Sequence, residues 1–172
     1  MKKIKIIIFT LIILLLGLGI FFVIKKFSFV KNTNTKLETE FSSDAVINID
    51  KKNYECEFSH FLGTTKINLQ KPETVRGLII EWANGKQTVS FKDLKKEFDK
   101  NLIPTDSFLN LIVKILDNFS TIAINKIKND GRREVFLGKF DKHEFEITAE
   151  KSKIIEIYIK SKDAKISFEY KK

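Results

Sequence analysis

The stretch KPETVRGLIIEWANGKQTVSF, from Lys71 to Phe91, predicts a β-hairpin and with it the character of the folded part. Two runs of residues suited to extended strands flank the dipeptide Asn84-Gly85. These two residues adopt the positive φ angles of a tight hairpin turn, so we expect two antiparallel strands. Pro72 should end the strand that precedes them, because proline donates no hydrogen bond to a sheet.

Further strands are indicated on both sides of this hairpin by an alternation of apolar and polar residues. The alternation covers residues 54–60, 65–70, 144–148, 155–160 and 165–170. A period of two is typical of strands with one covered face. Short connections separate several of these stretches, so the folded part is expected to be largely an antiparallel meander.

Two helices are expected between the sheet regions. Residues 91–98, FKDLKKEF, have the spacing of a short amphipathic helix. Thr105 or Asp106 suits a helix cap, and Ser107–Phe119 then carries apolar residues on nearly all sides. Such a helix needs cover all round. The expected fold class is therefore α+β, a curved antiparallel sheet (a half-barrel) wrapped around a central helix and preceded by an N-terminal transmembrane helix.

The net charge of +9 is concentrated near the N-terminus. Seven of the 31 basic residues and none of the 22 acidic residues fall within residues 1–36, which leaves a balance of +2 for the remainder. A nucleic-acid-binding domain usually carries a concentrated basic stripe on its folded surface. We therefore expect no nucleic-acid partner.

An apolar segment near the N-terminus predicts attachment to a membrane. Residues 6–24, IIIFTLIILLLGLGIFFVI, are uncharged. As a helix rising about 1.5 Å per residue they would span the ~30 Å hydrocarbon core of a bilayer. A cleaved signal peptide usually has a shorter apolar part followed by small residues, which KKFSFVKNTNT lacks. No cysteine is present here to accept a lipid.

Three regions follow from this reading: a transmembrane anchor over residues 1–30, a polar tether over 31–44, and an antiparallel sheet domain over 45–172. Lysines flank the anchor on both sides in nearly equal number. A short N-terminal tail before a first apolar segment is typical of an export signal. We therefore expect a single-pass membrane protein whose C-terminal domain is extracytoplasmic.

No catalytic, cofactor-binding or metal site is expected. His60 and His143 are far apart in the sequence and form no cluster with the spacing of zinc ligands. Cys56 lies within an alternating strand, where a buried apolar role is more usual than nucleophilic catalysis. Carboxylates such as Glu57 and Glu144 occupy the polar positions of alternating strands, which indicates a solvated face.

Four residues are candidates for contact with a partner or ligand: Trp82, Arg76, Phe108 and Phe119. Trp82, close to the hairpin tip, is the best single candidate because tryptophan is favoured at interface hot spots. The alternative is that Trp82 covers an edge of the helix. Sixteen phenylalanines are enough to fill a core or to line a cavity, and the sequence leaves both open.

The order of these elements carries a resemblance to a known family. The matching stretches are Tyr54-Glu55-Cys56-Glu57, Lys71-Pro72 with Val75-Arg76, Asn84-Gly85-Lys86, Ser107–Phe119 and Ile166-Ser167-Phe168-Glu169-Tyr170. Together they resemble the LolA/LppX-like lipoprotein-carrier fold, and more narrowly the GerS-like germination proteins of anaerobic spore formers.

The resemblance implies a function without catalysis. GerS-like proteins bind a cell-wall amidase and support its activity during spore-cortex processing, so a cell-wall amidase is the implied partner. Two alternatives remain: a carrier that holds a lipid or acyl chain between sheet and helix, and a structural component of the cell envelope. A carrier should keep a continuous apolar cavity, which separates it from the other two.

Overall fold

The computed structural model describes residues 37–99, 104, 106–129 and 131–170. The predicted membrane segment, residues 6–24, lies outside these ranges. Within them, no helix combines the length and the apolar character needed to cross a bilayer.

Eleven strands and one α-helix make up most of the described chain. The first six strands are β1 (Phe41–Ile49), β2 (Lys52–Phe61), β3 (Thr64–Lys71), β4 (Ile79–Ala83), β5 (Lys86–Phe91) and β6 (Leu94–Asp99). The helix α1 (Phe108–Asp117) follows β6. The last five strands are β7 (Ile124–Asn129), β8 (Arg133–Phe140), β9 (His143–Glu150), β10 (Lys153–Ile159) and β11 (Ala164–Glu169).

All the strands belong to one antiparallel sheet, in the order β6-β5-β4-β3-β2-β1-β11-β10-β9-β8-β7. Strands β1 to β6 form one meander and β7 to β11 form another. The two meanders join at the centre, where β1 pairs with β11 and Ala45 lies opposite Phe168. Strands β6 and β7 are consequently the two edges, and α1 lies in the connection between them.

Tight turns hold the meanders together. Asn84 and Gly85 have φ angles of 52° and 74°, which confirms the hairpin of β4 and β5. The same pair of positive φ angles recurs at residues 50–51, 62–63 and 151–152. Turns of this kind match the right-handed twist of the strands that they connect. Pro72, as predicted, follows the last residue of β3.

The core lies between α1 and one face of the sheet. Alternate side chains of the strands are fully or nearly fully buried, among them Ile47, Phe58, Ile67, Ile147, Ile157 and Ile166. Seven of the ten residues of α1 are buried, and six of these belong to the same hydrophobic cluster. The helix predicted over Ser107–Phe119 is therefore confirmed, with slightly shorter limits.

Aromatic rings close one end of this core. The ring centroid of Phe41 lies 5.6 Å from that of Phe58 and 5.0 Å from that of Phe168. Phe58 and Phe168 are 5.1 Å apart and packed edge to face. Such arrangements add to the free energy gained from burying apolar area.

The expected α+β class is wrong, and so is the half-barrel wrapped around a central helix; the transmembrane helix expected before it lies outside the described residues. The described chain is an eleven-stranded antiparallel sheet with a single α-helix. Residues 91–98 account for much of the difference, because they form no helix. Phe91 ends β5, Lys92 turns the chain with a φ of 54°, and β6 runs back along β5.

The physical reason lies in the second periodicity of this segment. Leu94 and Phe98, four positions apart, share one face of a strand as well as one face of a helix, and Lys95 and Glu97 lie on the other face of that strand, so the segment also fits the period of a strand. Six residue pairs join it to β5. An isolated helix of two turns gains little in water, whereas each paired residue adds to the sheet.

Two boundaries also differ from expectation. Strand β1 begins at Phe41, inside the range 31–44 that the sequence assigned to a tether. At the start of α1, Ser107 and not Asp106 occupies the cap position, and it makes no side-chain capping hydrogen bond. Lys162 instead binds Asp106, with 3.3 Å between Nζ and Oδ2.

Candidate functional site

Trp82, the leading contact candidate, is buried on β4 with 6 % of its surface exposed. It shares a small cavity of about 80 Å³ with Asn110 and Val113 of α1. Its indole Nε1 is buried and has no hydrogen-bond partner within the described part of the chain. This position corresponds to the alternative that Trp82 covers the helix.

The other three candidates divide between core and surface. Phe108 is buried at the first turn of α1, and Phe119 packs against the core just beyond its end. Arg76 is exposed, pairs with Glu73 at 3.0 Å and donates from Nε to the carbonyl oxygen of Gln70 at 3.3 Å. The structure thus brings Trp82, Phe108 and Phe119 into one core and leaves Arg76 outside it.

A buried polar cluster lies at the C-terminal end of α1. Nδ1 of His60 is hydrogen-bonded to Oγ1 of Thr65 at 2.7 Å, and Nε2 lies 3.8 Å from Oδ1 of Asp117. His60 and Thr65 are almost wholly buried. Burial lowers the pKa of His60 below its usual value, and the carboxylates of Asp117 and Glu40 oppose this shift.

The remaining cysteine and histidine form no catalytic pair. Cys56 is buried on β2, and burial, followed by the charges of Asp44 and Glu57, raises the pKa of its thiol to about 12. His143 on β9 is hydrogen-bonded to Oγ of Ser161 at 2.5 Å, and three strands separate β9 from β2. No group of three or more potential metal-ligating His, Cys, Asp or Glu side chains occurs within the described ranges.

A larger, polar cavity of about 470 Å³ opens beside β1, β2 and β3. Its charged and polar lining includes Asp44, Glu57, Lys66, Asn68, Lys153 and Tyr170, together with three serines of β1 and β2. The sequence did not reveal this cavity, because alternation indicates only a solvated face for these residues. No local signal could have revealed it, since it depends on where β11 ends relative to β1.

The edge strand β6 is the second exposed feature. Among the described residues, no strand pairs with β6 on the side away from β5. Leu94 is 75 % exposed, and Val89, Phe91 and Phe98 on the same face are partly exposed. None of these four side chains belongs to the core cluster. An apolar strip therefore lies on one face of β5 and β6.

Comparison with known proteins adds no assignment. No family model matches this chain, and no curated protein shows significant similarity to it. The resemblance to the LolA/LppX-like and GerS-like proteins therefore stays a prediction from the sequence.

Proposed function

We propose that this protein is a non-catalytic binding protein that docks a partner protein through the free edge of β6. Among the described residues the outer edge of this strand is unpaired, and it lies next to an apolar strip in which Leu94 is largely exposed; this is the observation that carries the proposal. Exposed sheet edges bind extended segments of other proteins through main-chain hydrogen bonds, and pockets for alternate side chains provide the specificity.

The backbone of β6 supports this use. Phe91 and Leu94 close a two-residue hairpin, and hydrogen-bonded pairs alternate with non-hydrogen-bonded pairs along two antiparallel strands. The peptide groups of Leu94, Lys96 and Phe98 accordingly bond to β5. Those of Lys95 and Glu97 point to the free edge, where a partner strand can reach them.

The side chains of this edge favour a partner strand that has apolar residues on one face and charged residues on the other. The strip of Val89, Phe91, Leu94 and Phe98 offers an apolar face. Lys92 and Lys96 extend over two of its rings, with Nζ 5.4 Å from the centroid of Phe91 and 5.1 Å from that of Phe98. The opposite face of β6 carries charged residues of both signs.

The proposed identity of the partner and the proposed location of this protein both rest on the sequence. From the resemblance to GerS-like proteins we propose that the partner is a cell-wall amidase, whose activity this protein would support during spore-cortex processing. From the apolar character of residues 6–24 we propose that the protein is attached to a membrane, with the sheet domain on the extracytoplasmic side. None of these assignments requires a catalytic group on this chain.

The lipid-carrier alternative has less support. The side chains between the sheet and α1 are closely buried, and the cavity that they share with Trp82 is about 80 Å³. The much larger cavity beside β1 is lined by charged and polar side chains as well as by Phe58 and Tyr170. A lipid or acyl chain needs a continuous apolar space, and neither cavity offers one. A structural envelope component remains the alternative if no partner is recovered.

Affinity purification of the tagged full chain from membranes of its own cells tests the proposal. We expect an amidase to co-purify with the unaltered protein and with Glu97→Ala, which keeps the backbone N–H. Glu97→Pro should lose the partner, because proline removes a donor from the free edge and spares the hydrogen bonds to β5.

The two variants form a matched pair, since both lose the ion pair of Glu97 with Lys86. Thermal unfolding of both establishes that the sheet stays folded. Recovery of the same amidase with Glu97→Pro would overturn docking at this edge. Absence of any amidase from the unaltered protein would overturn the proposed partner.

A further inference from the structure

The polar cavity beside β1 arises from an uneven end of the sheet. Asp44 and Glu169 form the last pair between β1 and β11, whereas β1 continues to Phe41 in pairing with β2. Lys153 at the start of β10 and Tyr170 just after β11 border the gap that results. The lining residues thus come from four strands, β1, β2, β3 and β10, together with Tyr170, and not from one loop.

The charges of the lining balance. Asp44 and Glu57 contribute two carboxylates, and Lys66 and Lys153 contribute two ammonium groups. An anion would meet the carboxylates and a cation would meet the ammonium groups, each at a cost in desolvation and repulsion. A neutral ligand avoids both costs.

The uncharged lining is rich in groups that bind hydroxyls. Nδ2 of Asn68 donates to Oε2 of Glu57 at 3.1 Å. The side-chain oxygen of Asn68, the second N–H of its amide and the remaining lone pairs of the Glu57 carboxylate are then left for a ligand. The ammonium group of Lys66 makes no hydrogen bond or ion pair with another described residue. Donors and acceptors are thus closely interleaved.

A fixed aromatic ring completes the wall. The hydroxyl of Tyr170 donates to the carbonyl oxygen of Ile154 at 2.8 Å, and the ring centroid lies 5.7 Å from that of Phe41. Nζ of Lys153 lies 4.9 Å from the ring centroid of Tyr170. The Tyr170 side chain lines the cavity beside these polar groups and adds apolar surface to its wall.

We propose that this cavity binds a neutral polyhydroxylated ligand, that is, a sugar unit, free or within a polysaccharide. A volume of about 470 Å³ lies within the ordinary range of small-ligand sites. The four charged groups of the lining disfavour a lipid, and the balance of their charges disfavours ionic ligands. This inference does not depend on docking at β6, so each can fail without the other.

Titration of the purified full chain with simple sugars, followed by ¹⁵N NMR, tests the proposal. The protein is held in a detergent without a sugar headgroup, because such a headgroup would compete. Glucose, N-acetylglucosamine and maltose are the neutral probes, and glucosamine and glucuronate are the charged ones. We expect saturable shifts of the Asn68 side-chain amide with a neutral sugar, and weaker binding of the charged sugars.

Variants locate the binding. Asn68→Ala should raise the dissociation constant about tenfold, which is the loss of affinity typical of one or two hydrogen bonds. Asn48→Ala is the matched control: Asn48 lies on the same face, is hydrogen-bonded to Asn53 and does not line the cavity. Lys66→Ala gives a second reading should Asn68→Ala fold poorly. No saturable shift with any neutral sugar, or equal affinity in all the variants, would overturn the proposal.

Discussion

Nε2 of His60, on β2, lies 3.8 Å from Oδ1 of Asp117, the last residue of α1. Residues 57 positions apart in the chain thus connect the sheet to the end of the only described α-helix. The His60 side chain is 4 % exposed and that of Asp117 is 28 % exposed, so water screens only one side of the contact.

The stability of the protein should fall on mild acidification because of His60. Its pKa in the folded state is lowered from 6.5, so below that pH the unfolded chain takes up the proton first. The contribution is fully present above the usual histidine pKa and is lost as the pH falls. Urea unfolding at about pH 7.5 and about pH 5.5 should show this, more weakly in His60→Gln. Greater stability of the unaltered protein at the lower pH would contradict the prediction.

Gly138→Ala should destabilise the sheet by about 1–3 kcal/mol, the usual cost of overpacking a core. A methyl group at Gly138 would overlap the ring of Phe145, which lies directly opposite on β9 and is fully buried. Chemical denaturation measures the change. Lys139→Ala, exposed on the same strand, is the control and should stay within about 0.5 kcal/mol of the unaltered protein. Equal stability of both variants would show that the ring can move aside.

Phe58→Ala should cost about 3–5 kcal/mol, because it leaves a cavity among packed aromatic rings. Phe58 is 1 % exposed and contacts Phe41 and Phe168. Leu94→Ala removes an apolar side chain that is 75 % exposed and should change stability by about 0.5 kcal/mol or less. The difference in the midpoints of urea unfolding checks this, and similar midpoints would contradict the burial of Phe58.

The thiol of Cys56 should be inert in the folded protein at neutral pH. It is 3 % exposed, and a pKa of about 12 leaves almost no thiolate. Ellman's reagent should react slowly with the native chain and promptly after unfolding in urea. Since this is the only cysteine, the signal reports a single site. Rapid stoichiometric labelling of the native protein would contradict the prediction.

Local patterns predicted most of the strands, but they did not indicate β1 or β7 and they assigned β6 to a helix. The Asn84-Gly85 turn was readable because its residues favour positive φ angles. Lys151 and Ser152 form an equivalent turn that composition does not signal, with φ angles of 50° and 70°. Here the pairing of β9 with β10 imposes the geometry on residues with little preference for it. The helix predicted over residues 91–98 failed because that segment fits both periods.

The candidate site was less predictable than the fold. Trp82 looked like an interface residue because tryptophan is frequent at hot spots, but its alternation with its neighbours could not reveal which face α1 covers. The lining of the polar cavity was equally hidden. Asp44 and Lys153 are more than a hundred positions apart in the sequence, and only the sheet brings them to one cavity.

The sequence by itself determined the period-two strands, the turn at Asn84-Gly85 and the apolar helix α1, because each depends on residues a few positions apart. Tertiary structure alone decided that β1 pairs with β11, that β6 is an edge, and that a polar cavity opens where β11 ends. The physical reason is that cross-strand pairing and burial couple residues such as Ala45 and Phe168. Their register is set by the packing of the whole sheet, which no local pattern records.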